Sequence, residues 1–228
     1  MKHTPTRNLA LTAIALLAFT GCSAQATGSV PEPNDSTSTV TAAAASSSTS
    51  AIEETASAEE TNYSGGSKAP EGEYRAADEH GPAQNVPKPV APEGMNIESP
   101  EAMEKFIAYW QEMRNYAYQT GDTSEVKLLV DESHTKEHEF YQSLEEIYAS
   151  GGWVVAGGLT VHYNKELIVS LGNGEYSVGS NFEAEDSVLW YDGKAIYNDN
   201  SDSISKGVDF RLKFQDGGWR VLSTKEIN

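Results

Sequence analysis

Two histidines in the C-terminal half have a spacing that could bind a metal ion. His134 and His138 lie four residues apart, and residues at i and i+4 face the same side of a helix. Glu137 or Asp131 could add a carboxylate ligand. The segment is not the His-Glu-x-x-His motif of zinc enzymes, and no third ligand is close in sequence. We therefore favour a solvated helix start over a metal site, and predict no metal and no cofactor.

The aromatic residues offer a second kind of site. Aromatic side chains at helical or strand spacing more often form core than a binding site, which is our interpretation of Trp110 and Trp153. Residues that fall off the main apolar stripe or near turns could instead line the mouth of a pocket for a small molecule. These residues are Tyr109, Tyr118 and Trp190.

Motifs for enzyme catalysis are not found in the sequence. There is no nucleophile elbow, no phosphate-binding glycine loop and no cysteine available as a nucleophile. Isomerases with an enclosed pocket can use an Asp beside a Tyr, but the tyrosines are numerous and no such pair can be selected. We therefore favour a non-catalytic protein, with a pocket-based isomerase or hydrolase as the alternative.

The single cysteine follows an apolar N-terminal segment. Lys2 and Arg7 precede a mostly apolar stretch, residues 9–19, which is too short to span a membrane and is typical of an export signal. The residues from Ala18 to Cys22 resemble a bacterial lipobox. This resemblance implies that residues 1–21 are removed as a signal peptide and that Cys22 carries diacylglycerol and palmitate. Two or more acyl chains would anchor the protein stably in the cell membrane.

The charge of the chain excludes one class of partner. Its 228 residues include 34 acidic and 16 basic side chains, giving a formal charge of −18. Binding to nucleic acid requires basic patches that pair with phosphates, so nucleic acid is not an expected partner. Both halves are acidic, with 11 acids and 3 bases in residues 23–97, and 23 acids and 11 bases in residues 98–228.

Residues 22–97 have the composition of a linker. Ser, Thr and Ala dominate its first half, acidic residues recur, and prolines follow towards the end. Such a segment has too few apolar side chains to offset the entropy lost on folding. The sequence therefore predicts a disordered acidic linker over 22–97 and a folded domain over 98–228.

The domain begins with helical periodicity and continues with strand periodicity. Ser99-Pro100-Glu101 is a helix-start signal, and the apolar spacing predicts helices over 100–120, about 123–130, and 135–149. After Gly152 the period changes to two, with turn signals at Asn173-Gly174, Asp192-Gly193 and 216–218. The predicted fold is therefore α+β, with three N-terminal helices packed on a curved antiparallel sheet.

The C-terminal part resembles actinobacterial lipoproteins whose shared domain has no assigned function. The similar segments are Ser99-Pro100-Glu101, 106–110, 115–118 with 120–122, and 147–148 leading into 151–155. The element order is also similar to nuclear-transport-factor-2-like domains, which implies a cone-shaped fold with a pocket. Members of the lipoprotein family often carry a Cys-x-x-Cys pair after the second helix. Residues 131–136 contain no cysteine, so no disulfide is expected there.

These observations predict a lipid-anchored protein on the extracytoplasmic face of the cell membrane. Its domain would bind a small ligand or an envelope protein, as a monomer or a dimer. A purely structural surface lipoprotein is the remaining alternative. An enclosed cavity with a buried carboxylate near a tyrosine would favour an enzyme, whereas an apolar open pocket without titratable groups would favour binding.

Overall fold

The computed structural model describes residues 68–227, and the first long element is helix α1, Pro100–Thr120. The helix begins there because the side chain of Ser99 accepts a hydrogen bond from the backbone N–H of Ala102 at 3.2 Å, and because proline suits the first turn. It ends at Gly121, whose left-handed φ of 74° directs the chain away. A Cβ at this position would lie 2.5 Å from Cγ of Tyr148, so only glycine fits.

The second α-helix, α2, is Thr135–Ala149, and it packs on α1 through one apolar face. That face consists of Tyr141, Leu144 and Ile147, at i, i+3 and i+6. Glu137, in the first turn, is also buried, which is unusual for a carboxylate.

Seven antiparallel strands follow the helices within the described residues. Strands β1, β4 and β5 form one sheet in the order β1-β4-β5, and the remaining strands form a second sheet in the order β2-β3-β6-β7. The strand bounds are β1 Trp153–Ala156, β2 Leu159–Gly172, β3 Glu175–Ala184, β4 Ser187–Tyr191, β5 Lys194–Asn198, β6 Gly207–Gln215 and β7 Gly218–Ile227.

The chain passes between the two sheets three times, after β1, after β3 and after β5, and the first two crossings lie next to each other. Between β1 and β2, Ala156 and Gly157 adopt positive φ angles of 57° and 83°, which interrupt the extended backbone. Between β3 and β4, the backbone N–H of Glu185 donates to the carbonyl of Gly158 at 2.9 Å. The Gly158 N–H in turn donates to Oε2 of Glu185 at 3.1 Å. These two bonds join the first crossing to the second.

The prediction of three helices packed on one sheet is wrong. The described residues contain two α-helices and two sheets, and segment 123–130 forms only a 3-10 helix, Val126–Leu129. A single turn gains too few hydrogen bonds to propagate as an α-helix. The Asp122 carboxylate also binds the backbone N–H and the hydroxyl of Ser124, which favours a turn.

The segment before α1 packs on the domain. Within the segment, the N–H of Ala69 donates to Oε1 of Gln84 at 2.7 Å. The indole N–H of Trp153 donates to the carbonyl of Asp78 at 2.8 Å, and that of Trp219 donates to the carbonyl of Ile97 at 3.0 Å.

The hydrophobic core lies between α1 and the four-stranded sheet. Phe106, Trp110 and Met113 of α1 are fully buried against Phe210 and Leu212 of β6. Among residues 68–227, no helix combines the length and apolar character needed to cross a membrane.

Candidate functional site

A cavity of about 600 Å³ lies between α1, the start of α2, and the ends of strands from both sheets. Its floor is formed by buried or partly buried side chains, and its rim by exposed ones. The floor includes Trp110, Arg114, Tyr118, Glu137, Leu159, Phe182 and Val208. The rim includes Lys136, Tyr197, Asp199, Lys225 and Glu226. This volume falls within the range that small-molecule sites occupy.

Aromatic packing shapes the floor of the cavity. The Trp110 ring lies 5.1 Å from the ring of Phe210 and 6.1 Å from that of Phe182, centroid to centroid. Phe182 and Phe210 meet edge to face at 5.4 Å. The rings thereby hold each other in place, and two of them, Trp110 and Phe182, face the cavity.

A buried ion pair links α1 to α2 in the cavity wall. Nε of Arg114 lies 2.9 Å from Oε1 of Glu137, and the two side chains are 15% and 6% exposed. Burial is the largest single influence on the pKa of Arg114 and lowers it, but the combined effects of Glu137, Tyr141 and Tyr118 leave that pKa above its ordinary value. The guanidinium also lies over the Phe140 ring, 4.3 Å from its centroid. Arg114 is therefore held as a cation.

The contacts of Arg114 occupy only part of its guanidinium. Glu137 takes Nε, and within the described chain neither Nη group has a hydrogen-bond partner. Because Arg114 lines the cavity, these Nη groups are the donors that a bound molecule could use.

Two further polar atoms are buried next to the pair. In residues 68–227, Nε1 of Trp110 and the hydroxyl of Tyr141 are buried without a hydrogen bond. Burial raises the pKa of Tyr141 well above its ordinary value, and the negative charge of Glu137 raises it further. Tyr141 is therefore a neutral phenol.

The cavity gathers basic residues in an acidic domain. It is lined by four of the 11 basic residues in 98–228 but by only three of the 23 acidic ones. The basic residues are Arg114, Lys136, Lys206 and Lys225, and the acidic ones are Glu137, Asp199 and Glu226. The lining therefore has a formal charge opposite in sign to that of the domain.

The two histidines of the predicted metal pair make separate hydrogen bonds. His134 is buried, lines the cavity, and its Nε2 lies 3.2 Å from Oγ1 of Thr224. His138 Nε2 lies 3.1 Å from the carbonyl of Asp131. No cluster of three His, Cys, Asp or Glu side chains suited to a metal ion occurs in the described part of the chain.

His134 provides a test of burial at the cavity. Burial lowers the pKa of His134 below its ordinary value, so the unfolded chain binds a proton at higher pH than the folded protein does. Stability should therefore fall by up to about 1.4 kcal/mol per pH unit as the pH drops below about 6.5, and level off below the folded pKa. In the His134→Gln variant, this loss of stability at low pH should be absent.

The measurement is urea unfolding of wild type and His134→Gln from pH 8 to pH 5. His80→Gln, at an exposed histidine outside the cavity, controls for loss of one imidazole. Identical pH dependence in wild type and His134→Gln would contradict the burial argument.

The structure places the three residues predicted to line a pocket mouth in different surroundings. Tyr118 lines the cavity, and its hydroxyl lies 3.4 Å from Oγ of Ser187. Tyr109 is buried in the core. Trp190 stacks on Trp153 with ring centroids 5.8 Å apart, in the other sheet. Cys22, the predicted acylation site, lies outside the described residues.

Sequence reasoning did not single out Arg114, and it named Glu137 only as a possible carboxylate ligand beside the two histidines. One signal was available: Trp110, Arg114 and Tyr118 recur at i, i+4 and i+8, which places an arginine on the same helix face as two cavity aromatics. No comparable signal identified Glu137 as the partner of Arg114, because the two residues lie on different helices.

The fold and the cavity together define an α+β domain with an internal small-molecule-sized site. Residues 72–225 match a family described as "Family of unknown function (DUF6318)". Because the match spans more than half of the chain, the protein belongs to this family. No curated protein matches it significantly.

Solved structures with some likeness are distant. One is the intermembrane space region of the chloroplast protein ARC6, with 12% identity and a TM-score of 0.35, covering 57% of this chain and 96% of that chain. Another is a putative scytalone dehydratase from Novosphingobium aromaticivorans, with 13% identity and a TM-score of 0.32, covering 59% of this chain and 87% of that chain. At these TM-scores the likenesses support no conclusion about function.

Proposed function

We propose that the domain is a non-catalytic module that binds a small molecule in its cavity. The observation that supports this most directly is a cavity of about 600 Å³ with an aromatic floor and an open, exposed rim. Concave sites of this size that combine aromatic surface with placed polar groups are typical of ligand sites. A purely structural domain would gain stability by filling such a space with side chains.

We further propose that Cys22 anchors this module to the extracytoplasmic face of the cell membrane, as in the actinobacterial lipoproteins that the chain resembles. The support is the sequence from Ala18 to Cys22 together with the preceding apolar stretch. Mass spectrometry of the mature N-terminus tests the proposal, and an unmodified Cys22 thiol would refute it.

The geometry favours binding over catalysis, although a carboxylate does lie near a tyrosine. Arg114 already pairs with Glu137, so this carboxylate is not a free base. The Tyr141 hydroxyl is buried, and Tyr141 is not among the residues that line the cavity. A general acid or base must reach the proton that it transfers, and this arrangement does not present Tyr141 to a bound molecule.

Binding of an uncharged fluorescent dye tests the proposed function. N-phenyl-1-naphthylamine should bind the full chain carrying Cys22→Ser, which removes the predicted acylation site, and its fluorescence should rise. Ala184→Trp should weaken dye binding by at least about tenfold, because Ala184 lines the cavity and a large ring would fill it.

The matched control for this experiment is Ala108→Trp. Ala108 is exposed on α1 and does not line the cavity, so this variant should bind the dye as the parent does. Equal dye binding by both tryptophan variants, with folding verified by circular dichroism, would refute a ligand site in this cavity.

A further inference from the structure

We propose that the cavity binds an apolar molecule carrying a single carboxylate, which the Nη groups of Arg114 hold. This inference rests on the proposed binding function and adds the chemical class of the ligand. It identifies Arg114 as a ligand-binding residue and the aromatic floor as the surface that contacts the apolar part of the molecule.

The hydrogen-bonding capacity of Arg114 is the first support. A guanidinium has five N–H donors in a planar fork, and two parallel donors match the two oxygens of a carboxylate. Glu137 uses Nε, which leaves the Nη donors without a partner in the described chain while Arg114 lines the cavity. A carboxylate is thus the group that these donors fit best.

The neighbouring carboxylate limits the charge of the ligand. Oε1 of Glu137 lies 2.9 Å from Nε of Arg114, so a bound anion shares the guanidinium with an existing negative charge. Like charges repel strongly where water is largely excluded, so Glu137 would repel a dianionic group more strongly than a monoanion. A single carboxylate is the anion that this site tolerates.

The charge of the whole lining is compatible with an anionic ligand. At the rim, exposed Lys136 and Lys225 are balanced by Asp199 and Glu226. Over the whole lining, basic residues outnumber acidic ones by four to three, in a domain where acids outnumber bases by 23 to 11. The cavity therefore repels an anion less than the rest of the domain surface does.

The side chains of the cavity floor indicate that the remainder of the ligand is apolar. Trp110, Phe140, Leu159, Phe182 and Val208 present apolar surface to the cavity. An eight-carbon chain fits comfortably within about 600 Å³ and would bury its methylene groups against these side chains, at about 0.8 kcal/mol per CH₂ group. Octanoate is therefore a suitable probe.

Competition between the dye and three probes of equal chain length tests the proposal. Octanoate, octanol and octylamine displace N-phenyl-1-naphthylamine from the full chain with Cys22→Ser, at pH 7.5 and low salt. We expect octanoate to bind at least about tenfold more tightly than octanol, because of its charge-assisted hydrogen bonds to Arg114. Octylamine should bind most weakly, since its ammonium would approach a guanidinium.

Two variants distinguish carboxylate binding by Arg114 from a general electrostatic attraction of anions to the cavity. Glu137→Gln should tighten octanoate binding by about three- to tenfold, because it removes the competing charge and keeps the cation. Arg114→Met combined with Glu137→Leu should weaken octanoate at least about tenfold and change octanol less than about threefold. Lys194→Ala, at an exposed lysine outside the cavity, should leave all three affinities unchanged.

The outcomes separate this inference from the proposed function. Equal affinity for octanoate and octanol, or octanoate affinity retained in the double variant, would overturn the carboxylate inference while dye binding in the cavity stands. Failure of all three probes to displace a dye that does bind the cavity would also overturn it. Failure of the dye to bind at all would instead refute the proposed function.

Discussion

Arg114→Met is expected to lower the free energy of unfolding by about 3–5 kcal/mol. The substitution keeps an apolar stem of similar length but leaves Glu137, whose side chain is 6% exposed, without its partner. The cost comes chiefly from an unpaired buried charge rather than from lost packing. Urea unfolding followed by tryptophan fluorescence measures it.

A double variant identifies the cause of this effect. Arg114→Met with Glu137→Leu should restore wild-type stability or exceed it, because an apolar pair of similar volume avoids the desolvation cost of both charges. If the free energy of unfolding of Arg114→Met lies within about 1 kcal/mol of the wild-type value, the Arg114–Glu137 pair is effectively solvated.

Trp110→Ala is expected to cost about 3–5 kcal/mol, the second large effect. Trp110 is fully buried and contacts the rings of Phe182 and Phe210, so its removal leaves a void between α1 and the four-stranded sheet. This void would join the existing cavity, which Trp110 lines. The same unfolding experiment measures the loss.

Trp110→Phe is the matched control. It retains an aromatic ring and removes an indole N–H that is buried without a hydrogen bond, so it should cost less than about 1.5 kcal/mol. A loss as large as that of the alanine variant would mean that a single aromatic ring at this position does not support the core and that the whole indole is required.

The bounds of α1 and the hairpin turns can be predicted from short stretches of sequence. α1 begins after Ser99 and ends before Gly121, where capping chemistry and a left-handed glycine are both visible in the sequence. Asn173-Gly174 adopts φ angles of 54° and 75°, and Asp192-Gly193 adopts 50° and 68°, as short hairpin turns require. These features depend on a few neighbouring residues, which explains why pattern reasoning reaches them.

The division into two sheets was not predicted, because pairing partners are far apart in sequence. Trp153–Ala156 pairs with β4, whereas Leu159 onward pairs with β3. Adjacent glycines at 157 and 158 favour a bend, but a bend in one strand does not specify which strand each half will join. That choice depends on how both halves pack on α1.

The amino-acid sequence by itself determined the acidic character of the protein, the limits of α1, the hairpin turns and the predicted acylation site at Cys22. Only the tertiary structure decided the cavity, the Arg114–Glu137 pair and the clustering of basic residues around it. The physical reason is that a cavity is the space left between elements. Its lining comes from residues as distant as Trp110 and Glu226, and no local pattern relates them.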